Sequence, residues 1–400
     1  MKVSCNCKKP VYDVVIVSRY HLLKGGGLEK VVKEQIKALS KGGFKICIVY
    51  REKEQYIKRN GSLPNYIDAC VIYDKLDGLL GKIADVIYAL PIYLKVAKMN
   101  AKIVLDNFEF PFLCKLLNRK SHILLVRHGT PNYLDNYSGT RLLFAKIYKI
   151  FILKPALILS SRTVNMIIAV SDKVRKELIN DYHAPPKKVI VIHNGVDTEK
   201  FKPRHKISVR KMLGLPLDEK IILFVGGNLE LKGFWTALRV VKAVRRCIPN
   251  VLFIVVTAGK YKEKLDQKFN WLKVLADIPH DKMPYLYNAA DIFLLPSKYE
   301  AGIPLAVLEA LASGCPAIVS PNASYMEHDG RGYLIAYEFK DYVKYCIKLL
   351  QDEHYREIMS RRARKLAVSM FSVEKQRKGY LKLVTLYLMK YFGKQLSCQF

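Results

Sequence analysis

Acidic side chains are scarce in this chain. It carries 35 Asp and Glu against 67 Lys and Arg, a formal net charge of +32 over 400 residues. Both halves share the excess, so no single basic arm explains it. Several long stretches hold no acid at all, among them Asn136 to Ser171 and everything after Glu374. Such fields attract phosphates, nucleic acid or anionic lipid, while a plain solvated basic surface would need no partner. Long apolar runs are also missing. The longest, Val86 to Leu94, is cut off from Ala84 by Asp85 and is too short to span a bilayer. The opening MKVSCNCKKP has no apolar segment of the signal-peptide kind, so the expected location is the cytoplasm, with the inner membrane face as the surface it could sit on. The nine cysteines are odd in number and scattered through apolar segments, as for reduced thiols rather than a disulfide framework. Cys5 and Cys7 find no second Cys/His pair that would complete a metal site. There is no short tandem repeat and no low-complexity tract.

Half the residues are hydrophobic, enough for a sizeable core, and the length suits two domains. Strand and helix patterns alternate from the start. Tyr12 to Ser18, apolar through Val14 to Val17, is a run of strand length of the kind buried parallel strands show. Gly25-Gly26-Gly27 follow, then Leu28, Val31, Val32, Ile36 and Leu39 at helical spacing, stopped by Gly42-Gly43. Phe44 to Tyr50 reads as the next strand. This βαβ unit predicts a doubly wound parallel sheet with ligands at the carboxyl ends of its strands. Ile167 to Val170 and Val189 to Ile192 read as later strands, with Ser171 capping a helix over 173–180. Phe201 to Pro216 is polar with two prolines and reads as a linker. A second alternating series opens at Ile221 to Val225 and runs through Val251 to Val256, Asp291 to Leu295 and Ala317 to Val319. The expected organisation is a first α/β domain over 1–204, a second over 205–372, and a basic helical segment over 373–400 that crosses back to the first.

The most informative segment is Tyr287 to Val319. A strand ends near Pro296, a loop carries Glu300 and Gly302, and a helix begins near Pro304, where a missing N–H costs nothing. Glu309 lies on that helix beside apolar positions, where a carboxylate must be paired. It could accept hydrogen bonds from ribose or sugar hydroxyls. The free amides at the helix start, after Gly302 and Ile303, could hold a diphosphate. Taken singly, a surface glutamate and a capping turn would explain as much.

The segment Glu309-Ala310-Leu311-Ala312-Ser313-Gly314-Cys315-Pro316 resembles the downstream half of the glycosyltransferase family 4 signature. Upstream, Glu300 sits one residue off the family spacing. Further resembling pieces occur in the family's order. Phe224 to Gly233, with Gly227, Asn228 and Lys232, is similar to the strand-to-helix phosphate loop, with Gly227 where the family usually carries Arg. Val191 to Asp197 resembles the turn that ends the first domain, and Leu125 to Thr130 the segment whose His, here His128, faces the donor sugar. Gly25 to Glu29 resembles the first-domain glycine loop, with Gly26 and Gly27 as donor-binding positions. Ile278-Pro279-His280 resembles the base-binding loop.

The resemblance implies a GT-B fold: two doubly wound Rossmann-like domains facing a central cleft. It implies retaining transfer of a sugar from a UDP- or GDP-sugar, used as substrate with no further cofactor, onto a glycan or lipid-linked acceptor. An anionic membrane surface is an expected partner and nucleic acid is not, since no zinc-finger, helix-turn-helix or RNP-like pattern accompanies the basic residues. No Asp-x-Asp occurs anywhere, so diphosphate charge is expected to fall on Lys232 and backbone amides rather than on a metal. His128, Lys232 and Glu300 are the expected catalytic residues. Donor binding is expected at Gly26, Gly27, Gly227, Asn228, Lys232, Ile278, Gly302, Ile303 and Glu309. A nucleotide-sugar epimerase of the same fold, or a basic nucleic-acid binder, are the alternatives.

Overall fold

The structure is a computed structural model that describes residues 3–5, 11–18, 27–52, 68–73, 80–108, 110–118, 120–136, 140–265, 269–325 and 328–393. By internal packing the chain forms two units. One comprises Met1–His193 with Gln376–Phe400; the other is Asn194–Lys375.

The first unit is built on an eight-stranded sheet. Its strands are β1 (Val3–Cys5), β2 (Tyr12–Ser18), β3 (Ile46–Glu52), β4 (Asp68–Tyr73), β5 (Ala101–Asn107), β6 (His122–Arg127), β7 (Met166–Ala169) and β8 (Val189–Val191). The order is β1-β4-β3-β2-β5-β6-β7-β8, parallel except for β1 against β4. All seven residues of β2 are buried, which is why its centre, Val14 to Val17, is wholly apolar. The helix Gly27–Lys41 follows. Its end explains why β3 starts at Ile46 rather than Phe44. Gly43 adopts φ +73 and the Phe44 amide reaches back to the Leu39 carbonyl at 3.3 Å, so Phe44 closes the helix instead of opening the strand. The helix Asp172–Asn180 is capped by Ser171, whose Oγ accepts from the Val174 amide.

The second unit holds a six-stranded, wholly parallel sheet ordered β11-β10-β9-β12-β13-β14. These are β9 (Lys220–Val225), β10 (Val251–Thr257), β11 (Leu272–Ala276), β12 (Ile292–Leu295), β13 (Ala317–Val319) and β14 (Tyr333–Ile335). The polar 201–216 segment expected as linker is part of this unit. Phe201, Val209 and Leu215 are buried in its core, and the segment forms the helix Lys206–Met212. It is fastened by a buried cluster: Arg210 Nη2 lies 2.8 Å and Lys206 Nζ 2.7 Å from the Asp291 carboxylate, which also accepts from the Ile221 amide at 2.7 Å. The unit boundary therefore falls earlier, at His193/Asn194. Just after it, a Cβ on Gly195 would lie 2.6 Å from the Val373 backbone, so only glycine lets this turn pass.

The last helix, Val373–Phe392, belongs to the first unit from Gln376 onward. There Arg377 Nε donates to Glu34 at 2.6 Å, and Tyr380 is fully buried.

Candidate functional site

In the second unit the sheet order reverses between β9 and β12, because β10 and β11 extend it one way and β13 and β14 the other. Such a reversal leaves a crevice beyond the carboxyl ends of the two strands. Loop 226–233 and loop 296–304 both emerge there. Gly233 holds φ +75, and a Cβ on it would lie 1.9 Å from the Pro296 carbonyl oxygen, so the two loops touch backbone to backbone. The Lys298 amide and the Ser297 hydroxyl both donate to the Leu231 carbonyl, at 2.8 and 3.0 Å. A Cβ on Gly226 would meet the Lys232 stem at 2.8 Å. The bare backbone thus leaves the lysine room to lie across the loop.

Lys232 Nζ ends 2.5 Å from Glu300 Oε1, which also accepts from Ser297 Oγ at 2.7 Å. The one-residue offset of Glu300 in sequence therefore does not keep it from the phosphate-loop lysine. The Gly227 position, where the resemblance would place an Arg, is open: a Cβ there would meet nothing within 4 Å. Asn228 holds the loop's own turn, its Oδ1 accepting from the Leu231 amide at 3.2 Å. Helix Leu305–Ala312 starts directly after this loop. The Val307 and Leu308 amides both return to the Pro304 carbonyl. Among the described residues the amides of Leu305 and Ala306 have no acceptor, as expected of a first helical turn. Gly302 lies in the approach to this turn, and Ile303 is packed against the core.

Glu309 is buried, and both its oxygens are engaged within the unit. His280 Nε2 lies 2.8 Å from Oε1, and the Tyr287 hydroxyl donates to Oε2 at 3.0 Å. Lys200 Nζ donates to His280 Nδ1 at 3.1 Å, which leaves the ring proton on Nε2, aimed at Glu309. Burial, then the Glu309 charge, raises the Tyr287 hydroxyl well above its ordinary range, so it stays a donor. Glu309 thus fixes the loop of Ile278 to His280 against the helix. Lys200 and Tyr287 lie far from Glu309 in sequence, and no local pattern singles them out.

The first unit has its own reversal, between β2 and β5, where Ser18 pairs with Asn107. Asn107 is braced by Gln35: each amide donates to the other at 3.1 Å, and Asn107 Nδ2 also reaches the Val17 carbonyl. This orientation turns Oδ1 toward His128 Nε2, 2.9 Å away, so Nε2 carries the proton. Among the described residues His128 Nδ1 has no partner. Burial, with the Arg127 charge beside it, pushes the His128 pKa down to about 3. It is therefore a neutral hydrogen-bond acceptor at ordinary pH and supplies no positive charge. Beside it, burial raises the Asp106 pKa to about 7, although the Phe108 amide donates to it at 2.8 Å. Gly27 opens the first helix; Gly26 lies outside the described residues. Among the described residues no group of three or more His, Cys, Asp or Glu is placed to hold a metal ion.

Comparisons with known proteins agree on what such a chain is. Residues 25–200 match the model described as Glycosyltransferase Family 4, and residues 206–366 the model described as Glycosyl transferases group 1. An Escherichia coli UDP-Gal:alpha-D-GlcNAc-diphosphoundecaprenol alpha-1,3-galactosyltransferase is 25% identical over 88% of this chain and 91% of its own length. Among solved structures, sucrose-phosphate synthase from Thermosynechococcus elongatus superposes with TM-score 0.73 at 17% identity, over 95% of this chain and 99% of that one. The Anabaena protein HepE, in complex with UDP and glucose, gives 0.71 at 17%, over 94% and 99%. The two structures share the GT-B fold of two Rossmann-like domains. Neither the family models nor these relatives support the epimerase or the nucleic-acid reading. The chain belongs to the family 4 glycosyltransferases and uses a nucleotide-sugar donor.

Proposed function

We propose that the chain is a retaining, metal-independent transferase that moves a hexose from a UDP-sugar onto a lipid-linked glycan at an anionic membrane surface. The observation that carries the donor half is the meeting of Lys232 and Glu300 at the β9/β12 reversal, beside the open Gly227 position and the unbonded amides of Leu305 and Ala306. UDP and the lipid carrier are suggested by the names of the E. coli and Anabaena relatives.

Lys232 and the helix-start amides would take the diphosphate, whose charge grows as the bond from the anomeric carbon to the phosphate oxygen breaks. The acceptor hydroxyl forms the new bond on the same face and passes its proton to the departing phosphate oxygen. No protein nucleophile is required. Lys232 carries three N–H donors and spends one on Glu300 Oε1, so it can turn another to the diphosphate while Glu300 orients it, and any shift toward the diphosphate would leave more of the Glu300 carboxylate for sugar hydroxyls.

A thermal-shift panel of UDP, GDP and their sugars tests this directly. A ligand at 100 times its Kd should stabilise by about 2.7 kcal/mol. The same panel and transfer assays should be unaffected by excess EDTA. Loss of transfer restored by magnesium or manganese would refute metal independence, and no shift with any nucleotide sugar would refute the donor site.

The two glutamates should separate. Glu300→Gln weakens the hold on Lys232, so free UDP should bind a few-fold tighter while transfer falls. Glu309→Gln keeps shape but loses the charge that fixes His280, so UDP should bind about tenfold more weakly, the size of one charge-assisted hydrogen bond. Equal effects on UDP affinity in the two variants would remove the distinction.

A further inference from the structure

The helix Thr140–Tyr148 runs through a π-helical turn, Lys149–Leu153, into the helix Lys154–Thr163. One flank faces the first unit's core, where Ala145, Leu153, Ala156, Leu157 and Ser160 are buried. An ordinary surface helix turns polar residues outward on its other flank. Here the outward flank is apolar: Leu143 is 62% exposed, Phe144 67%, Ile147 47%, Ile150 54% and Phe151 73%. The π turn contributes to this. Its wider winding leaves Ile150, Phe151 and Ile152 all outside before Leu153 turns in. Lys146 and Lys154 stand exposed among these residues. Lys149 does not join them, because its Nζ lies 2.5 Å from Asp135. The acid-free stretch is thus partly neutralised in space by an acid that precedes it.

We infer that this face docks on an anionic lipid bilayer, with Phe144 and Phe151 entering the headgroup–acyl boundary and Lys146 and Lys154 reaching lipid phosphates. The inference rests on the proposed lipid-linked acceptor and names the surface that would bring the enzyme to it. Charge decides between a bilayer and a second copy of the chain. A two-fold pairing through this face would set the same lysines against one another, whereas anionic headgroups complement them. Apolar side chains amid cations are what a headgroup layer accepts.

The test is flotation of the full chain with vesicles of phosphatidylcholine alone or mixed with phosphatidylglycerol. Binding to the mixed vesicles at low salt should fade as salt rises, since exposed charges are screened beyond a Debye length of about 8 Å at physiological ionic strength. Phe144→Ser with Phe151→Ser should reduce partition at least about tenfold, from the apolar area no longer buried. Lys146→Gln with Lys154→Gln should reduce it about 25-fold, from about fivefold for each cation. Neither pair should change the thermal shift produced by the stabilising nucleotide. Absence of flotation at low salt, or flotation unchanged by both pairs, would overturn the inference. So would a concentration-dependent dimer that Phe144→Ser with Phe151→Ser abolishes in a chain that does not float. Flotation without transfer to a lipid-linked acceptor would instead leave the docking surface standing and remove the acceptor assignment.

Discussion

Lys232→Ala should lower sugar transfer by about 100-fold or more while leaving the melting temperature near that of the parent. That is the size of effect seen when one preorganised charge stabiliser is taken from a transition state. Two features make Lys232 the residue to lose. Its loop has Gly227 in place of a second cation, with open space around it. The other lysine of the neighbouring loop, Lys298, is itself paired with Glu230. The variant also leaves Glu300 next to an arriving diphosphate with its cation gone, so Lys232→Ala with Glu300→Gln should recover part of the lost UDP affinity. Steady-state transfer with a saturating acceptor and the UDP thermal shift check both points. Near-normal turnover in Lys232→Ala would remove it from the chemistry.

The largest stability effect is expected at Asp291, far from any substrate. Its carboxylate is shared by Arg210, Lys206 and the Ile221 amide, and Asp291 and Arg210 are both 5% exposed. Asp291→Asn would leave the Arg210 guanidinium buried without its counter-charge, at a cost of about 3–5 kcal/mol. Burial alone would raise the Asp291 pKa, but Lys206 and Arg210 outweigh it and hold the group below the ordinary carboxylate range. The sign follows from that. A depressed folded pKa contributes stability above the unfolded value of about 3.9, and this is lost as pH falls through the folded value. Chemical denaturation of both proteins at neutral pH measures the first effect. A acid-side unfolding transition that becomes shallower in Asp291→Asn measures the second. An unchanged unfolding midpoint at neutral pH would show that the cluster does not hold the 206–212 helix to the sheet.

Most of the strands that were legible are buried on both faces and so are largely apolar. Tyr12–Ser18 and Ala317–Val319 have the bounds their runs indicate. The 201–216 segment was misjudged for the same reason in reverse. Its apolar residues are scattered among polar ones, and Ile207 and Met212 are exposed, yet Phe201, Val209 and Leu215 are in the core. Nothing local marks Arg210 as buried, because its partner Asp291 is distant in sequence.

By itself, then, the order of residues determined the two α/β halves, the β9 loop with its lysine, the helix bearing Glu309 and the excess of positive charge. These are consequences of local periodicity and of residue types that only certain turns and helix starts accept. Only the tertiary structure decided which charges are available. It pairs Lys232 with Glu300 despite the offset spacing, gives both Glu309 oxygens to His280 and Tyr287, and ties Lys149 to Asp135. It keeps His128 neutral and turns Phe144 and Phe151 away from the core. Such facts depend on which strand lies beside which and how deep a side chain sits, because pairing and desolvation are set by neighbours in space rather than in sequence.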